Sequence, residues 1–372
     1  MSRFVQLHLL TSYPPSNLNR DDTGRPKSAV IGNVSRLRVS SQSLKRAWRT
    51  SELFVDTLGA DKDAVIGVRT KEMGIEVFNK LCAGGIDPKH AKKWAQAMAE
   101  VFGKLKKADT KTKKNEDGEA KTNALLDLEI EQLAHFSPEE RRAIDMLIET
   151  LVERGTEPTS DELQLLSASR EAVDIAMFGR MLAKHPAYNC EAAVQVAHAF
   201  TVHASANESD YFTAVDDLNR GDEDRGAAHI GEVGFGAGVY YLYVCIDREL
   251  LKHNLGGNEA LVQKSLAALV QTMTKISPTG KQNTFASRAY ASYVMAEIGD
   301  AQPRSLSQAF VKPVKNTDDV IGTAIQNLEH TRQAFISMYG EDGVQCAISQ
   351  AVVADGRKQT VSLDALIDFI QQ

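Results

Sequence analysis

The sequence predicts an α+β fold in which a sheet domain has acquired a largely helical unit. Three observations carry this. Strand-like stretches near the N-terminus and after residue 235 flank amphipathic helices, and helical spacing dominates residues 60–190. The resulting order of strand, helix, insertion, strand, helix, strand fits the split βαβ of the ferredoxin-like fold. A length of 372 residues accommodates two or three compact units at roughly 100–200 residues each.

VQLHLLTSY reads as the first strand, closed by Pro14-Pro15. A long, basic, turn-rich loop is expected from Ser12 to about Arg36. From Ser40 or Ser41, as N-cap, the spacing predicts a helix with Leu44, Ala47, Trp48, Ser51 and Val55 on one face. Gln42, Lys45, Arg46 and Arg49 fall on the opposite face. KEMGIEVFNKL, KHAKKWAQAMAEVFGKL, ALLDLEIEQLAHF, PEERRAIDMLIETLVERG and DELQLLSASREAVDIAMFG each show helical spacing. Between two of these, KKADTKTKKNEDGEAK is too charged to bury and is expected to be a loop. CEAAVQVAHAFTVH is read as a further helix, residues 204–235 as a projecting loop or hairpin, and GVYYLYVCID as a buried strand. NEALVQKSLAALVQTMTKI is a helix, and NTFASRAYASYVMAEI reads as a strand pair with a bend. Helices at about 304–314, 317–338 and 363–371 end the chain.

Hydrophobic residues make up 43% and charged residues 25%, which excludes disorder of the whole chain. No apolar run approaches the ~18 residues of a membrane helix, and MSRFVQLHLL lacks a signal-peptide pattern; a cytoplasmic protein without membrane partners is expected. The four cysteines are widely separated and signal neither zinc nor disulfides. The net charge of −6 hides an asymmetry: residues 1–50 carry nine basic and two acidic side chains, +7, so the remainder sums to −13. A local positive field on an acidic body is suited to guiding an anion.

Two phosphate-loop similarities fail. Gly280-Lys281 has Lys275 where a Walker loop needs glycine and Gln282 where it needs Ser or Thr. Gly231, Gly234, Gly236 and Gly238 precede a strand, whereas a dinucleotide fingerprint opens a helix. Pro278–Gln282 is nevertheless a basic turn suited to touching phosphate. Asp21 and Asp22 are the minimum for a weak divalent-metal site, but no third ligand is evident and turn formation is the simpler reading. His198 and His203 read as packed or surface residues. The helix bearing Gln42, Lys45, Arg46 and Arg49 is the strongest signal, because it follows a basic loop and starts with N–H groups suited to a phosphate.

LNRDDTGRPKSAVIG, RLRVSSQSLKRAWR and, later, FTAVDDL before AAHIG resemble the CasC family, the CRISPR RNA-binding backbone subunit of the type I-E Cascade complex. The resemblance runs in order along the chain. It implies an RRM-like palm (residues 1–59, a helix at 191–203, and 236–372 with the C-terminal helices), a helical fingers insertion (60–190) and a thumb hairpin (204–235). It also implies a non-catalytic protein without cofactor or metal, acting in antiviral defence. Several copies, six in the family, form a helical filament on CRISPR RNA, present it for pairing with target DNA, join other Cascade subunits, and use the thumb to kink the guide at intervals. By this resemblance Arg20, Lys27, Ser40, Gln42, Ser43, Lys45, Arg46, Arg49, Met181 and Lys281 contact RNA. Tyr211, Phe212, Val215 and Ile230 form the base-kinking thumb.

Arg49 stands where some members have lysine, and Tyr211 where some have tryptophan. Between His203 and Glu232 there are eight acids and two arginines, so this segment's contribution to RNA binding must be apolar; an aromatic stacked on a base contributes ~1–3 kcal/mol. Anchoring of the hairpin is an equal alternative for Tyr211, and core filling an alternative for Met181. Two rival functions remain at this level: a metal-dependent ribonuclease using Asp21 or Asp22, and a general single-strand binder.

Overall fold

The computed structural model describes residues 2–59, 62–107, 125–167, 171–205, 207–214, 229–315, 318–340, 344–351 and 360–372. Val215, the side chain of Ile230 and most of the lysine-rich run lie outside the described residues.

The fold is α+β. The chain opens with β1 (Phe4–Ser16), β2 (Ser28–Ile31), β3 (Val34–Val39), α1 (Ser41–Arg49) and α2 (Glu52–Leu58). There follow α3 (Lys62–Val65), β4 (Val68–Thr70), α4 (Met73–Ala83), α5 (Pro88–Glu100), β5 (Ala134–Phe136), α6 (Pro138–Arg154) and α7 (Val173–Phe178). The remainder comprises β6 (Val194–Val196), β7 (Ala199–Thr201), β8 (Glu208–Ala214), β9 (His229–Asp247), α8 (Arg248–Asn254), α9 (Glu259–Lys275), α10 (Gln282–Phe285), β10 (Ala291–Gly299), α11 (Val320–Tyr339), β11 (Gln345–Gln350) and α12 (Leu363–Gln371). These form two compact units: Met1–Gly59, Val194–Glu249 and Ala260–Gln372 in the first, Ala60–Ala193 and Leu250–Glu259 in the second. Among the described residues no helix is long and apolar enough to cross a membrane.

The first unit is built on a sheet of order β11-β10-β1-β9-β7-β3-β2, with β6 and β8 also paired to β9. Its inner strands β10-β1-β9-β7 pair antiparallel, the order of a split βαβ. β1 buries Val5, Leu7 and Leu9 on one side and Gln6, His8 and Leu10 on the other. On the second side Leu10, Tyr241, Tyr293 and Met295 pack with Leu306, Phe310 and the α11 residues Ile325 and Leu328.

A charged network is enclosed in this side of the sheet. Glu297, fully buried, accepts two hydrogen bonds from Arg304 at 2.9 and 3.0 Å and one from Arg332 Nε at 2.8 Å. His8 Nε2 lies 3.3 Å from the same carboxylate, and Tyr241 Oη lies 2.9 Å from its Nδ1. Burial alone would raise the Glu297 pKa, but His8 and Arg304 outweigh it and hold it well below the usual carboxylate range. Burial pushes His8 down, toward its neutral form.

The second unit centres on α4, α5 and α6, whose Val77, Leu81, Trp94, Met98, Ile148 and Leu151 share a core with Phe136. Ser137 and Glu140 form a reciprocal capping box at the start of α6. Glu140 is buried and accepts from the buried Arg180 at 2.7 Å, so one carboxylate serves a helix cap and an internal ion pair.

Several sequence expectations are corrected. Residues 191–203, expected as a palm helix, contain β6 and β7. Val194 and Val196 pair with Ile246 and Val244 of β9, so tertiary pairing of β-branched residues overrides helical spacing. The expected loop from Ser12 to Arg36 includes the β2–β3 hairpin, turned by Gly32 and Asn33, both at positive φ. ALLDLEIEQLAHF folds as a short 3-10 turn and β5. In DELQLLSASREAVDIAMFG only Val173–Phe178 is helical among the described residues. The 304–314 helix shrinks to a 3-10 turn, and the expected strand pair at 283–298 is α10 followed by β10.

Glu297→Gln should cost about 3–5 kcal/mol at pH 7, because two arginines lose their buried counter-charge. Since the folded pKa is depressed, the native glutamate's contribution is complete above its unfolded value of about 4.3 and is lost as pH falls through the folded value. Urea unfolding from pH 7 to pH 3 should show stability falling with acid for the native protein, and a smaller acid-dependent fall for the variant.

Candidate nucleic-acid interface

The loop between β1 and β2 is a fixed structure in the first unit. Asn17, fully buried, donates through its side-chain nitrogen to the carbonyls of Gly24 at 3.0 Å and Gly234 at 2.8 Å. Asn19 accepts from Lys27 N through its carbonyl at 2.8 Å, and from Ser40 N through its side chain at 2.9 Å. The loop is thereby tied to β9 on one side and to the start of α1 on the other.

Asp21 turns the tip. Its Oδ1 accepts from Thr23 N, Thr23 Oγ1 and Arg25 N at 2.8–3.0 Å. The Thr23 hydroxyl, then the backbone donors and the Arg25 charge, lower its pKa. Asp21 is therefore a turn-former, and its carboxylate binds the Arg25 backbone amide. Among the described residues no group of three or more His, Cys, Asp or Glu is placed to hold a metal.

Lys281 joins this loop from α9's far end. It occupies the left-handed region at φ 51° and precedes α10. The adjacent Gly280 admits no side chain, because a Cβ there would stand 2.4 Å from Leu18 O and 2.6 Å from Asn17 O. Backbone contact thus presses the turn against the loop. Arg20, Thr23, Gly24, Arg25 and Lys281, with residues 232–234, line an open cavity of about 410 Å³. Three cations and one carboxylate, Glu232, edge it, which suits an anion smaller than a protein ligand.

α1 extends the basic surface but sorts its residues differently from the helical projection. Ser40 is buried, and its hydroxyl caps the helix by accepting from Ser43 N at 3.4 Å. Gln42 and Arg46 are exposed, Ser43 and Lys45 half-buried, and Leu44, Ala47 and Trp48 buried. Arg49 is buried at 7% exposure, so it does not stand on an open basic face with Arg46. Arg36, counted in the +7, is wholly interior: Nη1 donates to Thr201 O at 2.9 Å and Nη2 to Phe310 O at 3.0 Å. Lys27 is half-buried. Arg38 Nη1 lies 2.9 Å from His198 Nδ1. Burial, then the charges of Arg38 and Lys27, lower the His198 pKa, leaving a neutral acceptor for Arg38.

In the hairpin, β8 and the first part of β9 pair from Glu208↔Phe235 to Ala214↔His229, and every β8 residue is exposed. Tyr211 is 64% and Phe212 40% exposed. Phe212 lies across Gly231, where a Cβ would meet its ring at 2.3 Å, whereas Tyr211 opposes Glu232. The two aromatics therefore point to opposite faces. Ile230 pairs through its backbone with Thr213.

Met181 belongs to the second unit and is described within it. It is 76% exposed, not core, and borders a cavity of about 260 Å³ with Leu133, itself 56% exposed. Its neighbour Arg180 is locked by Glu140, Tyr188 O and Ser167 O. Sequence reasoning did not single out Asn17 or Leu133, and it read Arg25 only as a partner for the turn-forming aspartates. A buried asparagine has no sequence signature.

A family model described as CT1975-like protein matches residues 5–370. The chain is similar to one of a solved "CRISPR RNA-guided surveillance complex, pre-nicking", with 30% identity, TM-score 0.80 and 99% of each chain covered. It is also similar to one of a solved "CRISPR RNA-guided surveillance complex", with 26% identity, TM-score 0.70 and 99% of each covered. No curated protein sequence matches.

The inward and outward arginines should separate in experiment. Without nucleic acid, Arg36→Met should lose on the order of 3 kcal/mol in urea unfolding, because two buried carbonyls lose a charged donor. Arg46→Glu should stay within about 0.5 kcal/mol of the native protein. Equal losses would overturn the assignment. With a model matching nearly its whole length and a basic loop built on the same frame, the chain belongs to the CT1975-like protein family, Cas_CT1975.

Proposed function

We propose that this protein is a non-catalytic, CRISPR RNA-binding backbone subunit of a type I-E Cascade surveillance complex, acting in the cytoplasm in antiviral defence. The observation that carries the reading is the backbone-fixed convergence of Arg20, Arg25 and Lys281 on one cavity, tied through Asn19 to the start of α1. Likeness over 99% of the chain to chains of CRISPR RNA-guided surveillance complexes supports it.

In this reading the first unit is the palm, the second the fingers, and the β8–β9 hairpin the thumb. Arg20, Lys27, Gln42, Lys45, Arg46 and Lys281 meet the guide's phosphates, while Ser40, Ser43 and Arg49 hold or flank α1. A cationic surface with few base-reading groups accepts any spacer and leaves the bases to pair with target DNA. The thumb offers carboxylates and two aromatics, so it acts by wedging: Phe212 and Tyr211, on opposite faces, separate neighbouring bases, and the resemblance adds Val215 and Ile230 to the base-kinking residues. Met181, exposed on the fingers, is the residue of that unit which the resemblance assigns to RNA. Further copies and other Cascade subunits complete a filament whose length follows the guide. Mg²⁺-dependent cutting of complementary RNA at regular spacing, abolished by Asp21→Ala or Asp22→Ala, would favour the ribonuclease alternative instead.

Co-expression with its CRISPR array and neighbouring subunits, purification in about 150 mM salt and sequencing of bound RNA should give uniform CRISPR RNA. Lys45→Glu/Arg46→Glu/Lys281→Glu should abolish recovery. With five phosphate contacts, affinity for single strands should fall roughly 100-fold between 50 and 200 mM salt. Heterogeneous RNA in the native complex would instead indicate a general single-strand binder.

A further inference from the structure

Arg25 was not among the residues that resemblance assigns to the guide, and it is held by the hairpin. Its stem packs along β9, since a Cβ on Gly234 would stand 3.1 Å from Pro26 Cδ and 3.3 Å from Arg25 Cγ. Two residues along the same strand face, Glu232 receives its guanidinium at 3.7 Å. Glu232 also accepts from Ser209 Oγ across the hairpin at 2.6 Å. Asn207 donates from the base of β8 to Pro26 O at 3.1 Å, so the Arg25 segment and the hairpin root are joined on both strands.

We propose that Arg25 is an exchangeable cation, held by Glu232 in the free protein and transferred to a nucleic-acid phosphate when a strand enters the cavity. Three features support exchange over a permanent bond. At 3.7 Å with both side chains more than half exposed, the pair is long and well solvated, the kind of ion pair that contributes little by itself. Glu232 keeps its Ser209 bond after Arg25 leaves, so no carboxylate is left without a partner. Arg20 and Lys281 line the same cavity, so an incoming phosphate meets two cations before it competes for the third. Asp21 faces Arg25 from the loop and feels its charge, but its Oδ1 is engaged by Thr23 and the Arg25 amide, and the carboxylate the guanidinium reaches as an ion pair is that of Glu232. The consequence is a coupling: strand entry removes one of the ties between the basic loop and the hairpin, so the wedge gains freedom when RNA is in place.

The inference rests on the nucleic-acid reading, and a double-mutant cycle tests it separately. Native protein, Glu232→Gln, Arg25→Gln, the double variant and Lys281→Glu are titrated with a fluorescein-labelled mixed-sequence single-stranded RNA of 30 nucleotides at several salt concentrations. Glu232→Gln should tighten binding by about threefold or more in the native background and leave it nearly unchanged beside Arg25→Gln, a coupling of the size found for groups in contact. Arg25→Gln should lower the salt slope by about 0.7. Equal tightening in both backgrounds would reduce Glu232 to a general repulsive charge and overturn the exchange. No tightening in either would overturn it too. Weakening by Lys281→Glu alongside such a result leaves the nucleic-acid reading standing without the exchange; failure of the native protein to bind at any salt overturns both.

Discussion

The pairing of β1 with β9 is the constraint on which the rest depends. Eleven residue pairs run from Phe4↔Asp247 to Ser16↔Gly236, with the register shifting between Tyr13 and Ser16 where Pro14 and Pro15 cannot donate to a ladder. The strand that β1 fixes is nineteen residues long. One half is held in the sheet between β1 and β7; the other continues outward as the partner of β8. Because β1 ends beside Gly236, the next residue, Asn17, emerges where it can bond Gly234. The ladder thereby places the basic loop at the root of the hairpin.

Charge is sorted by depth as well as by sequence position. Arg36, Arg180 and Arg248 are buried and donate to backbone carbonyls, and burial lowers the pKa of Arg36 and Arg248. Guanidinium suits this use because its fork reaches two acceptors on different elements and stays charged. Arg36 joins β3 to the end of β7 and to the 3-10 turn at Phe310, and Arg248 joins the N-terminus to α12. A charge count along the chain treats them as equal to Arg20 or Arg46, which overstates the field at the surface.

The strands β1, β9 and β10 and the helices α1, α4, α5, α6 and α9 were legible because their apolar spacing is long and regular. The β6–β7 segment was misread because its residues satisfy helical and strand patterns alike, and pairing to β9 decides between them. Residues 125–136 and 161–167 carry helical spacing, but their apolar side chains complete the core around α4 and α6 from short turns and β5. At the site, the basic loop, α1 and the basic turn holding Lys281 were visible as charge, and resemblance also pointed to Lys281. Ser40 was legible as a cap, whereas the inward turn of Arg36 and Arg49 and the use of Asn17 as a cross-link depend on which backbone groups lie opposite, a property of tertiary structure that spacing does not encode.

The opposite charges of loop and hairpin give the proposed function a physical rationale. A thumb carrying cations would bind phosphate along its length and compete with the loop, holding a strand in several registers. Exposed carboxylates such as Glu208, Asp210 and Glu232 repel a phosphate backbone, so the hairpin can approach a strand only through surfaces that do not need charge, the rings of Tyr211 and Phe212. Under the proposed function, the loop is the element that meets a backbone and the hairpin the element that meets bases. One strand, β9, carries both the loop's anchor at Gly234 and the hairpin, so the two contacts are laid out along a single continuous strand.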